Sequence, residues 1–325
     1  MSWVFLAASS YFLSAFSQTL DKVLLQARIP SAATYAFYSG VTSVFVVVLV
    51  PFIHRWADFL LSIPIFALAF ATGAMLVVAL YFLYASLRRC DVSRIVPIIG
   101  AAIPIFLLVF AVARGAPIVS YQLIAVFLFV TGGMVLAMEI RQQNNGYDSL
   151  VAHLLGMPGQ RLALCSSEPR KGIGAAIAAA FFFAGTFFLS KELFTAPTPF
   201  LSEFFWMRIG SVVAALGMLI IPWLRRDIFA VSSRISRSST GLFFGNKIVG
   251  AVSFFLLNLA FNAAPSQSYV VIINALKGTE HFFVFLFSIG LTIFSPHILR
   301  EDFDRHTLML KSLGILLIAF GFWFL

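Results

Sequence analysis

The chain has 325 residues, of which 61% are hydrophobic and only 11% charged, with a formal net charge of +9. Ordinary soluble domains are roughly 25% charged, so this composition lacks the polar surface of a water-soluble enzyme or binding module. A basic nucleic-acid module is excluded as well, because no region outside the apolar segments is long enough to form a folded basic face, and nucleic acid is not an expected partner.

About 20 apolar residues cross a bilayer as a helix, and ten such segments fill the chain. The first five run from Trp3 to Leu20, Ala33 to Phe52, Leu60 to Ala85, Ile95 to Ala113 and Val119 to Glu139. The second five run from Gly172 to Ser190, Phe200 to Leu224, Gly241 to Phe261, Ser268 to Phe294 and Leu308 to Leu325. No charge precedes Trp3, as a secretory leader would require, so the first segment is expected to belong to the bundle. The expected fold is an all-α membrane protein in a cell membrane, with the lipid bilayer as its surroundings.

The two sets of five align as a degenerate repeat. Lys22 meets Lys191, Gly40 meets Gly210, Arg55 meets Arg226, Ala85 and Ser93 meet Ala260 and Ser268, and Gly132 meets Gly321. Residues 1–140 and 172–325 are therefore read as two five-helix units, joined by a polar linker over 141–171 that holds Gln142, Asn144, Asn145 and Gly146. An odd number of spans per copy inverts the second copy. Charge placement agrees: sixteen of the 22 lysines and arginines fall in odd-numbered loops and three in even-numbered ones, and the bias switches loops between copies, as an inverted repeat predicts. The positive-inside rule then puts the odd loops in the cytoplasm and both termini outside.

Ionisable groups inside spans are costly and mark functional pathways by default. The ninth span carries Asn274, Lys277, Glu280 and His281. The apolar pieces on either side are each too short to cross alone, so this stretch is expected within one continuous crossing, with Lys277 and Glu280 an (i, i+3) pair. In the eighth span Lys247, Asn258 and Asn262 share one stripe. Arg208 is the ninth residue of the seventh span, either an anion-facing group or paired with Glu203. Pro97, Gly100 and Pro104 suggest a kink or hinge in the fourth span. The bland alternatives are helix adhesion for the ninth-span cluster, snorkelling for Lys247 and Arg208, and a helix-dipole contact for Lys22 and Lys191. The 38 phenylalanines read as packing and lipid-facing surface.

No P-loop or nucleophile elbow occurs, and Cys90 and Cys165 stand far from any metal spacing, so neither an enzyme nor a cofactor is expected. The run Ala85-Ser86-Leu87-Arg88-Arg89-Cys90-Asp91-Val92-Ser93-Arg94-Ile95-Val96-Pro97, leading into Pro104, resembles the drug/metabolite transporter superfamily, specifically its EamA-type ten-helix members. Phe205-Trp206-Met207-Arg208, and Glu301 ahead of Lys311, Gly314 and Gly321, carry the same likeness. The chain departs from the family's pattern at Tyr38, Ile272 and Thr279. The resemblance implies two inverted halves around a central cavity, termini in the cytoplasm, and export or exchange of a small-molecule substrate. The spans expected to line that cavity are the third, fourth, eighth and ninth. A lipid-moving flippase of the same architecture and a non-transporting assembly or sensor protein are the alternatives.

Overall fold

A chain this poor in polar surface must satisfy its backbone groups internally, and helices do so within each segment. The computed structural model describes residues 2–25, 31–52, 59–89, 92–116, 120–137, 169–229, 237–280, 282–284, 286–287 and 305–324. Among them there is no strand. The elements are α1 (Ser2–Leu25), α2 (Ala32–Val41), which continues as a 3₁₀ helix (Thr42–Phe52), α3 (Ile63–Leu87), α4 (Val92–Ala113) and α5 (Ser120–Ala137). Then come α6 (Pro169–Leu193), α7 (Phe200–Gly217) with a 3₁₀ extension (Met218–Ile220), α8 (Pro222–Phe229), α9 (Arg237–Ala263), α10 (Gln267–Ala275) and α11 (Arg305–Trp323).

A helix occupies each of the ten apolar segments read from the sequence. Five stretches are long and apolar enough to cross a membrane: Ala32–Phe52, Ile63–Leu87, Lys171–Leu193, Phe200–Ile220 and Gly245–Ala263. Shorter apolar helices cover Ser2–Ser17, Ile98–Ala113, Leu123–Val135 and Ser312–Trp323. Large apolar side chains such as Phe5, Ile63 and Trp323 stand on the outside, as a lipid-facing surface requires. On α4, Ile95, Ile99, Ile103, Leu107 and Ala111 form a buried stripe at four-residue spacing, while Ile105, Val109 and Val112 face outward.

Local chemistry corrects three boundaries. The second segment tightens to 3₁₀ at Thr42 because the hydroxyls of Thr42 and Ser43 bond the Ser39 carbonyl, at 3.0 and 3.5 Å, and compete for the acceptor that an α-helix would use. The seventh segment stops at Ile220 rather than Leu224, since Ile221 is extended ahead of Pro222. The chain then turns into the short α8, whose Trp223, Arg225 and Arg226 are exposed. The hydroxyls of Ser31 and Thr34 reach the Asp227 carbonyl and tie α8 to the start of α2. The third correction is a break at the end of α10, described with the site.

Helices from the N-terminal and C-terminal parts of the chain interleave. α3 lies along α6 and α7, α9 lies along α1, and α5 pairs with α11. Close approach is set by glycine. A Cβ on Gly73 would come within 2.1 Å of the Met207 carbonyl oxygen, and one on Gly210 within 2.7 Å of Phe70 Cα, so α3 and α7 meet backbone to backbone. Ser211 Oγ donates to the Gly73 carbonyl at 3.1 Å across the same contact, and Trp206 Nε1 donates to the Phe59 carbonyl at 2.8 Å.

Candidate functional site

The ninth segment is where the sequence carries most polar groups, and there the helix breaks. α10 ends at Ala275, and Leu276 and Lys277 form a turn before helix resumes at Gly278. The Lys277 amide donates to the Asn274 carbonyl at 3.1 Å instead of reaching Ile273, which frees the Ile273 carbonyl. Tyr11 of α1 takes it, donating from its hydroxyl at 2.7 Å. Gly278 fits because a Cβ there would meet the Phe129 carbonyl at 2.6 Å, so α5 presses against the turn. The expectation of one continuous helix with Lys277 and Glu280 as a pair is corrected: among the described residues no ion pair joins them. Glu280 is buried and accepts a hydrogen bond from Ser14 Oγ of α1. Asn274 is buried, its Nδ2 donating to the Val270 carbonyl at 2.9 Å.

A polar seam on α1 serves this break, and the sequence reading passed over it. Ser10, Ser14 and Ser17 lie on one helical face with Tyr11 beside them. Ser10 Oγ donates to the Ser253 carbonyl of α9 at 2.8 Å, and Ser253 Oγ donates to the Ser10 carbonyl at 2.9 Å. Ser17 Oγ sits 3.5 Å from where a Cβ on Gly250 would be. The serine spacing in the first segment is the signal that could have revealed it.

The other side of α9 is different. α9 packs closely along α1 but approaches α2 and α7 at few backbone points, and side chains span the distance: Phe200 and Phe204 of α7 pack on Phe254 and Phe255 of α9, with the longer Arg208 and Lys247 beyond them. Arg208 of α7 reaches the Phe254 ring, its guanidinium carbon 5.0 Å from the centroid. Lys247 donates to the Tyr35 hydroxyl of α2 at 3.1 Å and lies 4.6 Å from that ring. Tyr35 packs on Tyr84 of α3. One turn beyond Phe254, Asn258 is fully buried. Its Nδ2 donates to the Phe254 carbonyl at 2.8 Å, while its Oδ1 has no partner.

The alternative Arg208–Glu203 pair does not form. Glu203, in the first turn of α7, accepts from Thr198 Oγ1 instead. Lys191 is buried at the end of α6 and donates to the Phe261 and Ala264 carbonyls, at 3.0 and 2.5 Å, so it satisfies the C-terminal end of a neighbouring helix. α4 runs helical through Pro97, Gly100 and Pro104, and a Cβ on Gly100 would meet nothing within 4 Å. His281, Cys90 and Cys165 lie outside the described residues, as does the side chain of Pro97.

Arg208 and Asn258 thus lie on either side of Phe254 and Lys247 reaches from α9 to α2, whereas Glu280 is held by α1 beyond the break in the ninth segment. An open apolar groove of about 360 Å³ lies elsewhere, between α3, α4 and α6, lined by Met75, Phe110, Phe188 and Leu189 with Arg114 beside them. Arg114 pairs with Glu192 at 3.2 Å. No cluster of three or more His, Cys, Asp or Glu able to hold a metal occurs among the described residues.

No family model matches the sequence, and no curated protein matches it. The fold is similar to that of a solved structure described only as a crystal structure of a protein, with a TM-score of 0.66 and 14% identity, covering 98% of this chain and 94% of that one. The described residues are therefore helical apart from turns, five stretches are fit to cross a membrane, and the fold is similar to a known one.

Proposed function

We propose that this chain is a multi-pass cell-membrane transporter with ten spans in two inverted five-helix halves. It moves a small polar or amphipathic metabolite, as an exporter or exchanger, by alternating exposure of the space between α9 and α2/α7. The resemblance to EamA-type drug/metabolite transporters points the same way.

Reciprocal packing supports the repeat. The alignment that pairs Gly132 with Gly321 also pairs Phe129 with Ile318. A Cβ on Gly132 would meet Ile318 at 2.8 Å, and one on Gly321 would meet the Phe129 ring at 2.9 Å. Each glycine thus packs on the counterpart of the residue that packs on its own counterpart, as two-fold relatives do. The α3/α6 and α9/α1 pairs exchange in the same way. The broken α10 adds a feature typical of transporter sites, where interrupted helices expose backbone groups at membrane depth.

The observation that carries the transport reading is the pair of unsatisfied groups at the α7/α9 space, the Arg208 guanidinium and Asn258 Oδ1. A protein using these residues only for adhesion or assembly would satisfy them internally. The lipid-moving alternative draws on the open apolar groove at Met75, Phe110 and Phe188. Proteoliposomes loaded with a mixture of small metabolites test both readings. Loss of one or a few solutes relative to protein-free vesicles is expected. Full retention of every solute, with rapid exchange of a fluorescent phospholipid between leaflets, would replace the transporter with a flippase.

A further inference from the structure

Resting on the transport reading above, we infer that the α7/α9 space takes a small organic anion that also carries a hydrogen-bond donor. Its negative group sits at Arg208 and its donor at Asn258 Oδ1.

The charge inventory leads there. α2 and its 3₁₀ continuation carry no carboxylate, α9 carries none, and α7 carries only Glu203, which turns to Thr198. Against these stand Arg208 and Lys247, both crossing the space. Arg208 makes no hydrogen bond or ion pair among the described residues, and its guanidinium lies over the face of Phe254. A guanidinium presents five donors in a planar fork suited to a carboxylate or phosphate, and a ring face satisfies none of them as hydrogen bonds. The anion that this fork requires has to arrive with a ligand.

Position makes the fork reachable. Arg208 shares its helical face with Phe204, Ser211 and Ala215, all buried, while Val213, Leu216 and Ile220 point outward. Arg208 is nevertheless partly exposed. That exposure leaves the fork open to a ligand entering beside Phe254. Asn258 supplies the second requirement, since its oxygen is buried, accepts nothing, and lies one helical turn from the ring under Arg208. An acceptor beside a cationic fork selects a ligand that is both anion and donor, such as a hydroxy- or amino-carboxylate.

The test uses the purified full-length protein in lipid nanodiscs and calorimetric titration with lactate, propionate, lactamide and choline. Lactate is expected to bind, propionate about tenfold more weakly for want of the donor, and lactamide and choline not measurably. Arg208→Gln should abolish lactate binding and Arg208→Lys recover part of it, with unchanged thermal unfolding of the ligand-free protein marking intact folding. Asn258→Leu should make lactate and propionate equivalent. Equal binding of lactamide and lactate, binding of choline, no binding by either carboxylate, or lactate binding that survives Arg208→Gln would each overturn the inference. Release of a neutral or cationic solute from the loaded proteoliposomes would leave transport standing and remove the anion site. Lactate binding with no flux of any solute would do the reverse.

Discussion

Lys191 illustrates how a cation can lie inside this protein without a counter-ion. Its ammonium bridges the Phe261 and Ala264 carbonyls at the end of α9, where the last carbonyls run out of intrahelical partners and Phe261 has only a long 3.3 Å bond from the Ala264 amide. Hydrogen bonds from a charged donor are worth about 1.5–3 kcal/mol each in net terms. Lys191→Met should therefore lower stability by about 2–4 kcal/mol, allowing for partial repair by water, seen as a lower midpoint of thermal unfolding in detergent. An unchanged midpoint would show that the contact is incidental. Arg208 contrasts with Lys191 at the same scale, because it has only an aromatic face beside it. The glycines divide in the same manner. Gly73→Ala would drive a methyl into the Met207 carbonyl, which is backbone and cannot yield, so the α3/α7 contact should separate and yield of folded protein collapse. Gly100→Ala meets open space and should stabilise α4 by about 0.5–1 kcal/mol through helix propensity. Destabilisation by Gly100→Ala would mean that this position has a close neighbour in another state, as a hinge would.

At the scale of elements, helix was legible because long apolar runs must satisfy their backbone groups internally; each run holds a helix among the described residues, and five stretches are long and apolar enough to cross a membrane. Ends were less legible. The run from Phe200 to Leu224 is continuous in composition, yet Pro222 and the extended Ile221 divide it. The break in α10 was hidden for the opposite reason, since the fourth segment carries the prolines and stays helical while the ninth has none and opens at Lys277. What decides is contact: Gly278 yields to α5, and Tyr11 collects the freed carbonyl from α1. Such partners lie far away in sequence, so polarity within one helix could nominate Asn274 and Glu280 but not Tyr11 or Ser14. For the same reason spacing suggested Lys277 for Glu280, when the described partner is a serine on another helix. Tyr11→Phe removes only the hydroxyl and should cost about 1–2 kcal/mol by stranding the Ile273 carbonyl. Hydrogen exchange should show the excess opening confined to residues around the turn. Uniformly faster exchange along all of α1 would instead mean that the ring, not the hydroxyl, matters.

For the molecule as a whole, inversion makes a prediction about sides. Cys90 and Cys165 fall in the third and fifth loops, so both should react with a membrane-impermeant thiol reagent from one side, the cytoplasmic one by the charge bias. Reaction from opposite sides would end the inverted-repeat reading. Alternating access makes the sharper demand, because α9 must move against α7 at both of its ends. Two spin-label pairs in nanodiscs measure this, one at exposed positions Thr195 and Ala263, the other at exposed Ile220 and Gly245. The account predicts two populated distances for each pair, with any condition that enriches the long distance at one end depleting it at the other. A single narrow distance at both ends under all conditions would contradict it.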